Sequence, residues 1–103
     1  MSKSYSRALP RAWAGRSRVF TALGDEHRQR ILLMFERNEE LTIKDIMDTS
    51  PLSRTAVSHH VRVLKEAGVL VTEKRGREVL LRPNRKRVLE ALDAVRKYIA
   101  EEL

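Results

Sequence analysis

Ser53-Arg54-Thr55-Ala56-Val57-Ser58-His59-His60-Val61-Arg62-Val63-Leu64-Lys65-Glu66-Ala67-Gly68 reads as one helix with two chemically distinct sides. At about 100° per residue, Ala56, Val57, His60, Val61, Val63, Leu64 and Ala67 share one continuous arc. Arg54, Thr55, Ser58, His59, Arg62, Lys65 and Glu66 fill the other. The first arc is made to pack. The second is short-armed at its start, where Thr55, Ser58 and His59 stand beside Arg54, so its backbone can come close to base edges. Hydroxyl, imidazole and guanidinium groups suit hydrogen bonding in a major groove. Ser53 is placed as N-cap, and Gly68 supplies the left-handed residue that ends a helix. Taken alone, the pattern also describes an amphipathic surface helix with a merely solvated polar face. The residues on either side decide between the two.

Downstream, Val69-Leu70-Val71-Thr72-Glu73-Lys74 and Glu78-Val79-Leu80-Leu81-Arg82 are strand-like runs joined through Arg75-Gly76-Arg77, a hairpin with a cationic tip. Lys74, Arg75 and Arg77 on such a rigid support can reach phosphates or a narrow minor groove. Upstream, Thr42-Ile43-Lys44-Asp45-Ile46-Met47 predicts a short helix, with Thr42 and Asp45 at capping-box spacing. Ser50-Pro51-Leu52 turns the chain into Ser53. The predicted fold is therefore mainly α with a small β-hairpin: a winged helix-turn-helix of about five helices plus wing.

With these elements in order, the chain resembles the ArsR family of bacterial winged-helix repressors, also called the ArsR/SmtB family. The matching words are Ala22-Leu23-Gly24-Asp25-Glu26-His27-Arg28-Gln29-Arg30-Ile31-Leu32, then Leu41-Thr42-Ile43, then Leu52 through Leu70, and Arg75-Gly76-Arg77 at the wing. They run continuously from about Ala22 to Arg82, which is far more specific than a lone motif. The resemblance implies a homodimer that binds a palindromic operator in double-stranded DNA and lets go when a signal arrives. Arg54, Thr55, Ser58 and His59 match the base-facing start of the family's recognition helix, and Arg75 and Arg77 match its wing. Together with the residue chemistry, this gives an expected DNA-contacting set of Ser53, Arg54, Thr55, Ser58, His59, Arg62, Lys74, Arg75 and Arg77.

Many members of that family sense metals, through cysteines at the start of the helix before the recognition helix or through carboxylates and histidines on the last helix. Here Thr42 and Lys44 stand where a thiolate pair would sit, no histidine follows His60, and the chain has no cysteine. Soft-metal and zinc sites need thiolate or imidazole ligands, and thiol redox sensing needs a thiol. No metal and no cofactor is expected; the sequence does not identify the signal, and a small-molecule or protein effector is the class left open. Of the three histidines, His27 reads as a surface residue near a helix start, His59 as outward-facing and His60 as packed. No nucleophile with a base and an orienting acid is visible, nor a glycine-rich phosphate loop, so no catalytic residue is assigned and the chain does not read as an enzyme.

The 103 residues carry a formal net charge of +7, which suits a polyanionic partner. The cations gather at the amino-terminal arm, the recognition helix, the wing and Arg85-Lys86-Arg87, while Glu36, Glu39, Glu40, Asp45 and Asp48 make the middle acidic. Residues 1–10 are expected as a mobile basic arm and 11–103 as one winged helix-turn-helix domain. Asp25 can cap a helix containing Ile31, Leu32, Met34 and Phe35 that Asn38 ends, and Asn84 can cap the last helix. A first helix from about Arg11 to Leu23 carries Trp13 and Phe20; the last carries Val88, Leu92, Val95 and Ile99 at helical spacing. The resemblance assigns these six residues to a dimer interface. No run approaches the roughly 18 apolar residues of a membrane helix, so no membrane partner is expected. Without an export signal, the expected location is the cytoplasm. An activator on the same scaffold, or a winged-helix module that binds another protein, shares most of these features. DNA titration at several salt concentrations separates them.

Overall fold

The computed structural model describes residues 4–5 and 8–103; the remainder of the arm expected at 1–10 lies outside the described residues. Five helices are observed: α1 (Arg11–Leu23), α2 (Glu26–Leu33), α3 (Ile43–Thr49), α4 (Arg54–Glu66) and α5 (Arg85–Glu102). Three strands, β1 (Leu41–Thr42), β2 (Leu70–Arg75) and β3 (Glu78–Pro83), form an antiparallel sheet in the order β1-β3-β2.

Local chemistry sets the helix ends. Asp25 accepts hydrogen bonds from the amides of His27 (2.8 Å) and Arg28 (3.1 Å), starting α2. These bonds, the Arg28 amide foremost, hold the Asp25 carboxyl below its usual range. At α3, Thr42 Oγ1 accepts from the Asp45 amide at 3.1 Å and the Asp45 carboxylate accepts from the Thr42 amide at 2.9 Å, a reciprocal capping box. Ser53 Oγ accepts from the Ala56 amide to open α4. That helix closes with Gly68 at φ 78°, its amide on the Lys65 carbonyl and the Val69 amide on that of Leu64, which is a Schellman pattern.

The amphipathic arc of α4 drives the packing. Val57, Val61 and Leu64 are buried, and with Val19, Ala22, Ile31, Ile46, Ala67, Val69, Leu70, Leu81 and Ala91 they form the core. Leu64 is fully buried, whereas every residue of the polar arc is exposed. Two expectations need correction. Asn38 does not end α2: the helix stops at Leu33, the Met34 and Phe35 amides tighten onto the carbonyls of Ile31 and Leu32, and Asn38 sits in the following turn at φ 62°. The chain must leave α2 early because Leu41 and Thr42 pair with Leu81 and Leu80 of β3. The sheet therefore has a third strand beyond the expected hairpin.

The second correction concerns the hairpin tip. Arg75 pairs with Glu78 inside the ladder, leaving only Gly76 and Arg77 in the loop. Gly76 has φ 59° and Arg77 does not have positive φ, the pattern of a type II′ turn, whose twist matches that of the strands. Arg75 is thus a strand residue with a fixed direction. Leu64→Ala should destabilise the domain by about 2–5 kcal/mol in chemical denaturation, the range for emptying a core leucine site. A loss under about 1 kcal/mol would show that α4 is not seated by this residue.

Candidate nucleic-acid interface

α3 and α4 form the helix-turn-helix, and the start of α4 is its free end. Arg54, Thr55, Ser58, His59 and Arg62 stand exposed on one face, with Ser53 exposed just before them. The Ser53 oxygen is engaged as the cap, which leaves its hydroxyl proton available for donation. Arg62 lies 3.4 Å from Nδ1 of His59. On α3, Lys44 pairs with Asp48 at 2.7 Å, and that hydrogen bond raises the lysine pKa.

The wing does not hold its three cations alike. Lys74 and Arg77 are exposed and make no ion pair among the described residues. Arg75 donates to both carboxylate oxygens of Glu40 (2.8 and 3.0 Å) and to Glu73 (2.9 Å). These contacts, Glu40 first, raise its pKa. Arg82 also reaches Glu73, at 3.3 Å. Local sequence puts Arg75 at the tip beside Arg77 and gives no sign of its bonds to Glu40, because the partners are 35 residues apart.

A group that the sequence does not single out links α4 to the rest. Arg28 donates through Nε to the Ala22 carbonyl (2.6 Å), through Nη2 to the Thr21 carbonyl (3.1 Å) and through Nη1 to Nδ1 of His60 (3.2 Å). One side chain thereby closes the carbonyl end of α1 and tethers α4. Because a guanidinium can only donate, His60 Nδ1 is the acceptor in this contact. The rings of His27 and His59 lie 5.6 and 5.5 Å from that of His60. Burial pushes the His60 pKa down; Asp25 opposes this, and Arg28, His59 and His27 add to it. Among the described residues, no three of the aspartate, glutamate and histidine side chains are grouped so as to hold a metal ion.

The six residues assigned to a dimer interface divide. Phe20 and Val88 lie against the core of their own domain. Trp13 stacks edge-on against Tyr98 at 5.4 Å, with Arg16 over its ring at 5.5 Å. Leu92 and Ile99 are 46% and 52% exposed, and Val95 is half-buried beside them.

The chain matches the helix-turn-helix domain family over residues 23–73. It is 41% identical over 66 residues to the HTH-type transcriptional regulator YuzN of Bacillus subtilis, covering 57% of this chain and 71% of that protein. An ArsR-like transcriptional regulator from Rhodococcus sp. RHA1 superposes with a TM-score of 0.79 at 28% identity, over 87% of this chain and 84% of the other. The chain belongs to the ArsR family of transcriptional regulators. The arsenic resistance regulator ArsR1 of Pseudomonas putida is 34% identical over 64 residues, 62% of this chain and 50% of that protein. This ArsR-family chain spans about half to two thirds of the length of such relatives. No described helix is long and apolar enough to cross a membrane.

His60 gives the interface a checkable pH signature. Its folded pKa lies below its unfolded value, so between the two the unfolded chain binds more protons and stability rises with pH. The contribution is complete above the unfolded value near 6.5 and is lost as pH falls through the folded one. Thermal unfolding should therefore drop more between pH 7.5 and 5.5 in the parent than in His60→Gln. Equal drops would assign the pH dependence elsewhere.

Proposed function

We propose that the chain is a sequence-specific DNA-binding repressor that acts as a homodimer on a palindromic operator and is released by a non-thiol effector. The observation that carries this reading is the exposed face of Arg54, Thr55, Ser58, His59 and Arg62 on α4, flanked by the cationic wing. Short polar groups at the start of a helix-turn-helix recognition helix suit base edges. Arg54 and His59 serve as base readers in this reading, and Lys74, Arg75 and Arg77 as phosphate contacts. Repression accords with relatives named as repressors, such as SdpR of Bacillus subtilis. The basic surface and family favour a binding role without catalysis, and the expected setting is the cytoplasm.

Dimerisation is supported by α5. Only Ala91 of its 18 residues is buried, while Leu92 and Ile99 stay exposed along it and Leu103 just past its end. The radius of gyration is 16.3 Å, against about 13 Å for a compact domain of this size. An apolar stripe on an extended helix is suited to a second copy. Two recognition helices held about 34–36 Å apart then reach successive major grooves, and an effector that alters their spacing releases the operator.

Fluorescence anisotropy with a palindromic duplex and a scrambled one, at several salt concentrations, tests the reading. The palindrome should bind far more tightly, with a steep salt slope for both. Equal affinities would reduce the chain to a non-specific binder or a protein-interaction module. Arg54→Ala or His59→Ala should lose about 1–3 kcal/mol at the base each reads, relaxing preference there. Arg77→Ala should weaken all duplexes alike and lower the salt slope by about 1. Uniform losses from all three variants would recast Arg54 and His59 as phosphate contacts. Glu40→Gln, which loosens the hold on Arg75, should tighten binding to any duplex; unchanged or weaker binding would show that Arg75 takes no part.

A further inference from the structure

A cleft of about 590 Å³ lies between the loop after α2, the end of β3 and the first turns of α5. That volume is in the range of small-molecule sites, which combine an apolar lining with a few polar groups. Leu32, Phe35, Val88 and Leu89 supply the apolar surface, and Arg82 and Arg85 also line it. Glu36, Glu39 and Glu40 also line it, matched in formal charge by Arg37, Arg82 and Arg85, and of the three carboxylates Glu40 is already paired with Arg75. Glu40 holds Arg75 through both oxygens, and Glu39 accepts from the Glu36 amide at 3.2 Å. The guanidiniums are less committed. Arg82 makes one 3.3 Å contact with Glu73, and Arg85 has no carboxylate partner among the described residues. Each carries five N–H donors in a fork that fits a carboxylate.

We infer that this cleft is an effector site for a small organic anion, a carboxylate on a flat apolar body, held by Arg85 and Arg82 with its body against Phe35, Val88 and Leu89. Beyond binding, the site reaches the wing. Glu40 and Arg82 line the cleft and also hold Arg75 and Glu73 of the wing. An anion that draws Arg82 into the cleft takes it from Glu73 and leaves that carboxylate to Arg75 alone. Arg75, between two carboxylates without a competitor, is then withdrawn from phosphate. This consequence rests on the DNA-binding function proposed above; occupancy of the cleft does not.

Two-dimensional ¹H–¹⁵N spectra of the full chain, titrated with 1-naphthoate and in parallel with 1-naphthylmethylammonium, test the site. Naphthoate should shift the amides of 35–40 and 82–89 saturably, and the cation should not. Arg85→Gln, an exposed change that leaves the fold intact, should weaken naphthoate about tenfold, a loss of about 1.4 kcal/mol. Shifts confined to 92–103 with either probe, absence of saturation, or unchanged affinity in Arg85→Gln would overturn the site, as would dissociation of the dimer by naphthoate, which would seat a second copy there. In the anisotropy assay, saturating naphthoate should lower duplex affinity several-fold; bound naphthoate with unchanged duplex affinity would overturn the link to the wing. Naphthoate binding by a protein that holds no duplex would support the cleft and sink the function proposed above.

Discussion

Burial of one arc of α4 governs the polar chemistry this chain can present. With Val57, Val61 and Leu64 in the core, the helix cannot rotate about its axis without exposing them, so Arg54, Thr55, Ser58 and His59 point outward in a fixed order. At about 25 cal/mol per Å² of apolar surface removed from water, such a rotation would cost several kcal/mol. Arg28 adds direction to this apolar seat. Its bonds to the Ala22 and Thr21 carbonyls and to His60 tie the helix to two others, so the exposed face is oriented by packing and hydrogen bonding together.

What sequence could reveal followed the range of the interaction concerned. Caps are decided within four residues, and Asp25, Thr42, Ser53 and Asn84 all act at the helix starts where their side chains predict them. The two arcs of α4 were equally legible, since helical periodicity is a property of the local chain. By contrast, β1 has two residues, too few for an alternating pattern, and exists because β3 lies beside it some 40 positions later. That distant pairing also overrides the helical tendency of the chain between Met34 and Asn38. The exposed candidates on α4 could be named from sequence; the carboxylates around Arg75 and the carbonyls around Arg28 could not.

Formal charge alone misjudges the surface for the same reason. A net +7 suggests a uniformly attractive field, yet the cations are in different situations. Arg28 and Arg87 serve backbone carbonyls inside the fold, Arg75 and Arg82 are shared with acids, and Lys74 and Arg77 face solvent. Exposed ion pairs of this kind are individually weak and exchange readily. A polyanion can therefore compete for Arg75 and Arg82 more easily than for Arg28, which would have to abandon two helices.

Gly15 sits inside α1, where a glycine weakens a helix by about 1 kcal/mol relative to alanine. Its place is explained by Arg87, whose guanidinium crosses there to the Gly15 carbonyl and would lie 3.3 Å from any added Cβ. One missing methyl thus leaves room for the guanidinium that bridges the first and last helices. In the twofold assembly proposed above, alanine at this position would disturb the bridge between those two helices while leaving every residue proposed to read the operator untouched.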